Sequence, residues 1–522
     1  MDTLPRPPER FNLPHYCLAA HAARCPDKIA LIIASDGGRA RQWSYADLDD
    51  LVRRAAGGFR SLALPPGARV MIRTGNDLPY ILAFFGAMAA GYVPLPSSAA
   101  LTGEEAEFLL GDSEAAAVVL SERLGLAHDV PADVRVLDNA QIMHLAETAS
   151  AVDYADTAAG DPAFLIYTSG TISRPKGVLH AHRVAWGRRP MYQGWYGIGP
   201  DDVVLHAGAF NWTYTLGVGL IDPWANGATA VLYNGRADPA VWPDLIERFG
   251  VSIFATVPSL YRRILKYGHF RPQGLVTLRH GLTAGEALPA SVLQAWQEAT
   301  HTPLYEALGM SEISTYISTS PGIPLKPGSP GKPQPGRRVT ILDAEAPDGS
   351  AVEVAPGDVG LIAVHRSDPG LMLGYWRRPD EEALVYRGEW FCGGDLAHMD
   401  RDGYIWLHGR HDDIVNPGGY RLSPLEIEAA LEQHPMVHEV AVGELALSAE
   451  LKILAAFVVA EGTPDERALL DWASAHLAAY KVPKRVVFVA QLPRNRAGKL
   501  LRRDLPATLD DLQPLAVKTP GA

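Results

Sequence analysis

With 522 residues and 47% hydrophobic content, the chain can bury a large core and is expected to divide into two or more domains. Its net charge of −12, from 47 basic and 59 acidic residues without a basic block, argues against nucleic acid as a partner. Three scattered cysteines, Cys17, Cys25 and Cys392, argue against a disulfide framework or a thiolate metal site and fit a reducing, cytoplasmic setting.

The first thirty residues hold five prolines and no basic region followed by an apolar run, so no secretion signal is expected. Residues 15–35 read as a helix followed by the strand Ile29–Ala34, and Ser44 is the expected N-cap of a helix with apolar residues at helical spacing from Asp47 to Leu62. Val70–Arg73 reads as a buried strand with the helix Pro79–Ala90 packed on it. The apolar window Tyr80–Leu95 is broken by glycine and proline and is too short to span a bilayer, so no membrane span is expected. Short strands at Val118–Leu120 and Val134–Leu137 complete a region that reads as scaffold. Strands alternating with amphipathic helices predict an α/β fold with mainly parallel sheets.

The stretch FLIYTSGTISRPKG, 164–177, changes character. A strand, Ala163–Tyr167, opens into a turn with hydroxyls at Thr168, Ser169, Thr171 and Ser173 around Gly170, ending in Pro175, Lys176 and Gly177. Hydroxyls, the backbone N–H of Gly170 and the Lys176 ammonium suit phosphate oxygens. The order Lys176-Gly177-Val178 excludes a Walker loop, which needs Gly-Lys-Ser/Thr before a helix. A helix is expected over His180–Tyr192, then a strand Asp202–Leu205 leading into HAGAFNWTYTLGVGL, 206–220. Aromatics interleaved with glycines there predict a wall packed around a small apolar group. Strands Ala228–Tyr233 and Ser252–Val257 and helices Pro239–Phe249 and Ser259–Lys266 follow.

Four further segments stand out. They are GLTAGEALP (281–289), YEALGMSEISTY (305–316), GLMLGYW (370–376) and EWFCGGDLA (389–397), the last expected to end its strand on Asp395. Residues 321–336, rich in proline and glycine, read as a long connection. YIWLHGRHDDIVNPGGYRLSPLEIEAAL, 404–431, leads into a small α+β unit. Its expected elements are a helix from Leu425, strands Val437–Gly443, Leu454–Val459 and Val486–Phe488, and the helix Pro464–Leu477. LPRNRAGKLLR, 492–502, follows them.

In this order, the segments resemble the adenylate-forming superfamily over nearly the whole chain. Within it the resemblance is to the acyl-CoA synthetase branch, in particular benzoate-type aryl-CoA ligases and short- and medium-chain acyl-CoA synthetases. It implies a large α/β AMP-binding domain, 1–411, joined by a hinge at Asp412 to a small mobile α+β domain, 412–522. It further implies that Thr168, Ser169, Gly170, Thr171 and Lys176 bind phosphates and that Gly285 and Glu286 frame the adenine. Glu312 would hold Mg²⁺, Asp395 and Arg410 the ribose, and Gly418 and Gly419 the path of CoA. Phe210, Asn211, Trp212 and Tyr214 would line the acyl pocket, and Lys499 would be the catalytic ammonium of the first step and a candidate for a protein lysine acetyltransferase.

Departures from the family wording are Ile172 and Ser173 in the phosphate loop, Leu308 where an aromatic often stacks on adenine, Cys392 and Gly393, and Ala497. Asn211 stands where amino-acid-activating relatives have an aspartate, which argues against an α-amino acid substrate. The implied reaction uses ATP, Mg²⁺ and CoA to convert a small aromatic or short- to medium-chain acid to its thioester. Two alternatives stay open at this point: a stand-alone adenylating enzyme that loads a carrier protein, and a nucleotide-binding relative without turnover.

Overall fold

The computed structural model describes residues 4–168, 175–236, 238–285, 288–347, 349–410, 415, 422, 424–448, 451–493 and 505. Two sheets of the large domain are built by strand–helix alternation. One is parallel throughout, in the order Val93–Pro96, Arg69–Arg73, Ala115–Leu120, Arg135–Asp138. The other has nine strands, and its centre runs Leu304–Met310, His280–Ala284, Ile253–Thr256, Val203–His206, Thr229–Tyr233, Ile29–Ala34, all parallel. The helix Leu78–Ala89 is buried on every side, as its run of apolar residues demands. Ser44 caps the helix Tyr45–Ser61, as the sequence predicts, and the structure adds a capping box with Asp47.

Two antiparallel sheets complete the large domain. Pro162–Thr168, Lys176–Ala181 and Gly374–Tyr375 form one, and Trp390–Met399 lies at the centre of the other. The small domain packs the helices Pro424–Leu431 and Glu466–His476 on a sheet of Val437–Ser448, Leu451–Ala460 and Arg485–Phe488, an α+β unit as expected. Among the described residues, no helix is long and apolar enough to cross a membrane.

Two elements differ from the sequence expectation. The helix expected over His180–Tyr192 begins as a strand, Lys176–Ala181, followed by short helical turns from Val184 to Tyr196. Partners on both edges, Pro162–Thr168 and Gly374–Tyr375, satisfy its backbone in extended form, and this tertiary pairing overrides local preference. The strand expected to end on Asp395 continues to Met399, with Asp395 opposite Arg410. The Gly393-Gly394 pair forms an irregularity within the strand, where Gly394 takes φ 85° and the pairing register with Gly360–His365 shifts.

Candidate active site

Parallel strands of the large sheet deliver their carboxyl ends to one place, where ligands of open α/β sheets bind. Val203–His206 leads into Asn211 to Tyr214, His280–Ala284 into Gly285, and Leu304–Met310 into the turn that carries Glu312. They surround a cleft of about 240 Å³ whose walls include Thr168, Asn211, Trp212, Tyr214, Gly285, Leu308 and Asp395. Six residues singled out from the sequence for nucleotide or acyl contact are thus brought together, with Leu308 where the aromatic would stand.

Phe210 is an exception. It is buried against Tyr80, at 5.5 Å between ring centroids, and the Tyr80 hydroxyl donates to its carbonyl. It therefore packs in the core while Asn211, Trp212 and Tyr214 face the cleft. The glycines of this segment also serve the wall's own packing. A Cβ on Gly219 would lie 2.9 Å from the Phe210 ring, and one on Gly217 would lie 1.8 Å from Arg188 Nη2.

The Glu312 turn is braced from several sides. The His180 ring donates from Nε2 to the Ser311 carbonyl at 2.9 Å, Met372 N donates to the Glu312 carbonyl at 2.7 Å, and the Tyr375 hydroxyl donates to Glu312 Oε1 at 2.7 Å. On its far side Arg188 Nη1 donates to Ser314 Oγ at 2.6 Å, and Ser314 holds the left-handed φ of 68° that closes the hairpin. Arg188 is itself fixed by Asp222, with Nε and Nη2 at 2.7 and 2.6 Å from the two carboxylate oxygens, and Tyr196 donates to the same carboxylate. Burial alone would lower the arginine's pKa, but the Asp222 carboxylate outweighs it and holds Arg188 above its ordinary value. Lys176 lies 3.6 Å from Glu381 Oε2 and 3.9 Å from the Tyr375 ring centroid.

Four buried histidines share a consequence of desolvation. It brings His180, His182 and His280 down to about 4 and His206 to about 3, all from the ordinary 6.5. Between those values the unfolded chain binds protons that the folded chain refuses, so each group costs about 1.4 kcal/mol of stability per pH unit as pH falls below 6.5. Glu306 opposes them, since burial raises its carboxyl to about 7 and the fold gains as pH falls through that value. Four groups against one predict that the urea midpoint falls steeply between pH 6.5 and 4. A midpoint that stays flat to pH 4.5 would contradict the burial of neutral imidazoles.

Ser169, Gly170, Thr171, Glu286, Asp412, Gly418, Gly419 and Lys499 lie outside the described residues, as does the side chain of Arg410. Other groups at the site escaped sequence reasoning. Lys481 of the small domain lines the cleft and bonds Glu105 Oε1 at 3.0 Å, with its side chain 2% exposed. The capping box of Thr102 and Glu105 is a local signal, but its partner 376 residues later is not.

The AMP-binding enzyme family matches residues 18–376, and the AMP-binding enzyme C-terminal domain matches residues 426–499. YtcI, an uncharacterized acyl-CoA ligase of Bacillus subtilis (strain 168), is 30% identical over 514 residues, 95% of this chain and 96% of its own. The benzoate–CoA ligase of Thauera aromatica is 32% identical over 496 residues, 90% of this chain and 93% of its own. Among solved structures, o-succinylbenzoate CoA synthetase from Bacillus subtilis, bound with a product analogue, is similar with a TM-score of 0.82 at 25% identity. That likeness covers 94% of this chain and 98% of the other.

Proposed function

This chain belongs to the AMP-binding enzyme family, and from that premise we propose that it is an AMP-forming acyl-CoA synthetase acting on a small aromatic or short- to medium-chain carboxylic acid. A carboxylate oxygen attacks the α-phosphorus of ATP and pyrophosphate leaves. The acyl-adenylate then meets the thiol of CoA, whose sulfur forms the thioester bond as AMP departs with the electron pair of the broken bond. The observation that carries this reading is the convergence of Thr168, Gly285, Asp395 and the braced Glu312 turn on one cleft, with Trp212, Tyr214 and Leu308 on its walls.

In this reading Thr168, Ser169, Gly170, Thr171 and Lys176 hold phosphates, Gly285 and Glu286 flank the base, and Asp395 and Arg410 take the ribose hydroxyls. A carboxylate accepts two O–H donors at once, which suits Asp395 to the diol. The Glu312 carboxylate would hold Mg²⁺, since it offers the oxygen ligand that a hard cation takes. When bound, the cation would neutralise charge on the phosphates. Lys499 supplies the ammonium of the first step, Asp412 the pivot between the domains at 411/412, and Gly418-Gly419 a stretch without side chains for the path of the pantetheine arm. The three cysteines are free thiols, which supports a cytoplasmic setting. Acetylation of Lys499 would remove its charge, so an acetyltransferase acting there would switch off the first step.

Pyrophosphate release with MgATP across a panel of acids, with and without CoA, tests the reading. The expected result is sustained turnover only with CoA, fastest with benzoate-like or short branched acids. Release that stops at one equivalent whatever CoA is added would favour a carrier-protein acceptor. Activity confined to long-chain or dicarboxylic acids would overturn the substrate class, and silence with every acid would overturn the enzyme.

A further inference from the structure

The segment Gly370 to Trp376 holds none of the residues assigned to MgATP from the sequence, yet its tyrosine touches both charged groups that are. Tyr375 donates its hydroxyl to Glu312 Oε1 at 2.7 Å, and the Lys176 ammonium lies 3.9 Å from the centroid of the same ring. The surrounding backbone leaves this geometry little freedom. Leu373 N donates to the Leu179 carbonyl and Trp376 N to the Gly177 carbonyl, each at 2.7 Å, so Tyr375 is locked to the strand that Lys176 begins. Met372 N donates to the Glu312 carbonyl at 2.7 Å, which ties the same segment to the turn of the carboxylate. Tyr375 is 6% exposed and the Lys176 side chain 12%, so both contacts are made largely out of water, where hydrogen bonds and cation–π attraction are stronger.

We propose that Tyr375 is a positioning residue that holds the Glu312 carboxylate through its hydroxyl and the Lys176 ammonium through its ring face, setting the spacing between metal site and phosphate loop. The proposal rests on the assignment of Glu312 to the cation and Lys176 to phosphate. The hydroxyl fixes the rotamer of a carboxylate that must meet a cation with strict geometric demands. The ring attracts the ammonium without neutralising it, so the full charge remains for an incoming phosphate. Glu381 Oε2, 3.6 Å from the ammonium, is the anionic contact that phosphate would compete with.

The two halves of the proposal separate by substitution. Tyr375→Phe keeps the ring and its packing and removes the hydroxyl, whereas Tyr375→Leu removes both. The full-length protein is titrated with Mn²⁺ in the presence of ATP, followed by electron paramagnetic resonance, and ATP affinity is measured separately in EDTA. Tyr375→Phe is expected to weaken Mn²⁺ binding about tenfold, the loss of a hydrogen bond to a charged group, with metal-free ATP affinity unchanged. Tyr375→Leu is expected to weaken metal-free ATP binding as well, by about threefold to tenfold. Adding Tyr375→Phe to Glu312→Gln is expected to weaken Mn²⁺ binding no further than Glu312→Gln alone, because the hydroxyl acts through that carboxylate.

If Glu312→Gln loses Mn²⁺ and Tyr375→Phe does not, the positioning role is overturned and the assignment of Glu312 stands. If Glu312→Gln binds Mn²⁺ as wild type does, the assignment itself falls and the proposal with it. A Tyr375→Phe variant that loses thermal stability but keeps wild-type Mn²⁺ affinity would reduce Tyr375 to core packing and likewise overturn the role.

Discussion

Replacing Lys499 with alanine is expected to slow acyl-adenylate formation by about 100- to 1,000-fold, the loss typical when one preorganised electrostatic group is removed from a developing charge. The first step brings a carboxylate to a phosphate, two anions that repel until a cation lies between them. In the proposed reading Lys499 is that cation, and a lysine would suit the role because a compact ammonium can follow the charge as the new P–O bond forms. The second step needs no such bridge, since a neutral acyl carbonyl receives the thiol. Transfer of a preformed acyl-adenylate to CoA is therefore expected to stay within about threefold of wild type. Single-turnover rates for the two half-reactions, measured separately with benzoate as the first acid, check this. Equal loss in both would place Lys499 in the fold instead of in the first step.

The second large effect concerns stability. Asp222→Ala is expected to lower the free energy of unfolding by about 3–5 kcal/mol, because it leaves a buried guanidinium without its counter-ion. The Arg188 and Asp222 side chains are 3% and 0% exposed, so water cannot take over the missing contact. Arg188 cannot swing away cheaply either, since it occupies the space that a side chain at Gly217 would fill. The double variant Arg188→Met, Asp222→Ala removes both charges at once and is expected to recover most of the loss. Because Arg188 also holds Ser314 on the cleft wall, the double variant should regain stability while the KM for the acid stays raised. Urea denaturation gives the first quantity and steady-state kinetics the second. A loss below about 1 kcal/mol in Asp222→Ala would contradict the buried pair.

Much of the fold was legible because it is encoded between neighbours. The helix N-cap at Ser44, the apolar run of Leu78–Ala89 and the alternation of strands with helices are local patterns, and each stands as expected. The misread strand Lys176–Ala181 and the continuation of Trp390–Met399 past Asp395 depend on partners distant in sequence. Phe210 illustrates the same limit at the site. An aromatic beside glycines suits a pocket wall or a core equally well, and contact with Tyr80 decides for the core.

By itself the sequence determined which chemistry is present. Hydroxyls, carboxylates, a lysine and glycines occupy positions at or near element ends, in an order that resembles a family of adenylating enzymes. Only the tertiary structure decided how those groups are held. Tyr375 on Glu312, His180 on Ser311, Arg188 between Asp222 and Ser314, and Lys481 on Glu105 are pairings across 34 to 376 residues. The physical reason is that a residue's type fixes what it can donate or accept, whereas the folded backbone fixes which partner lies within reach.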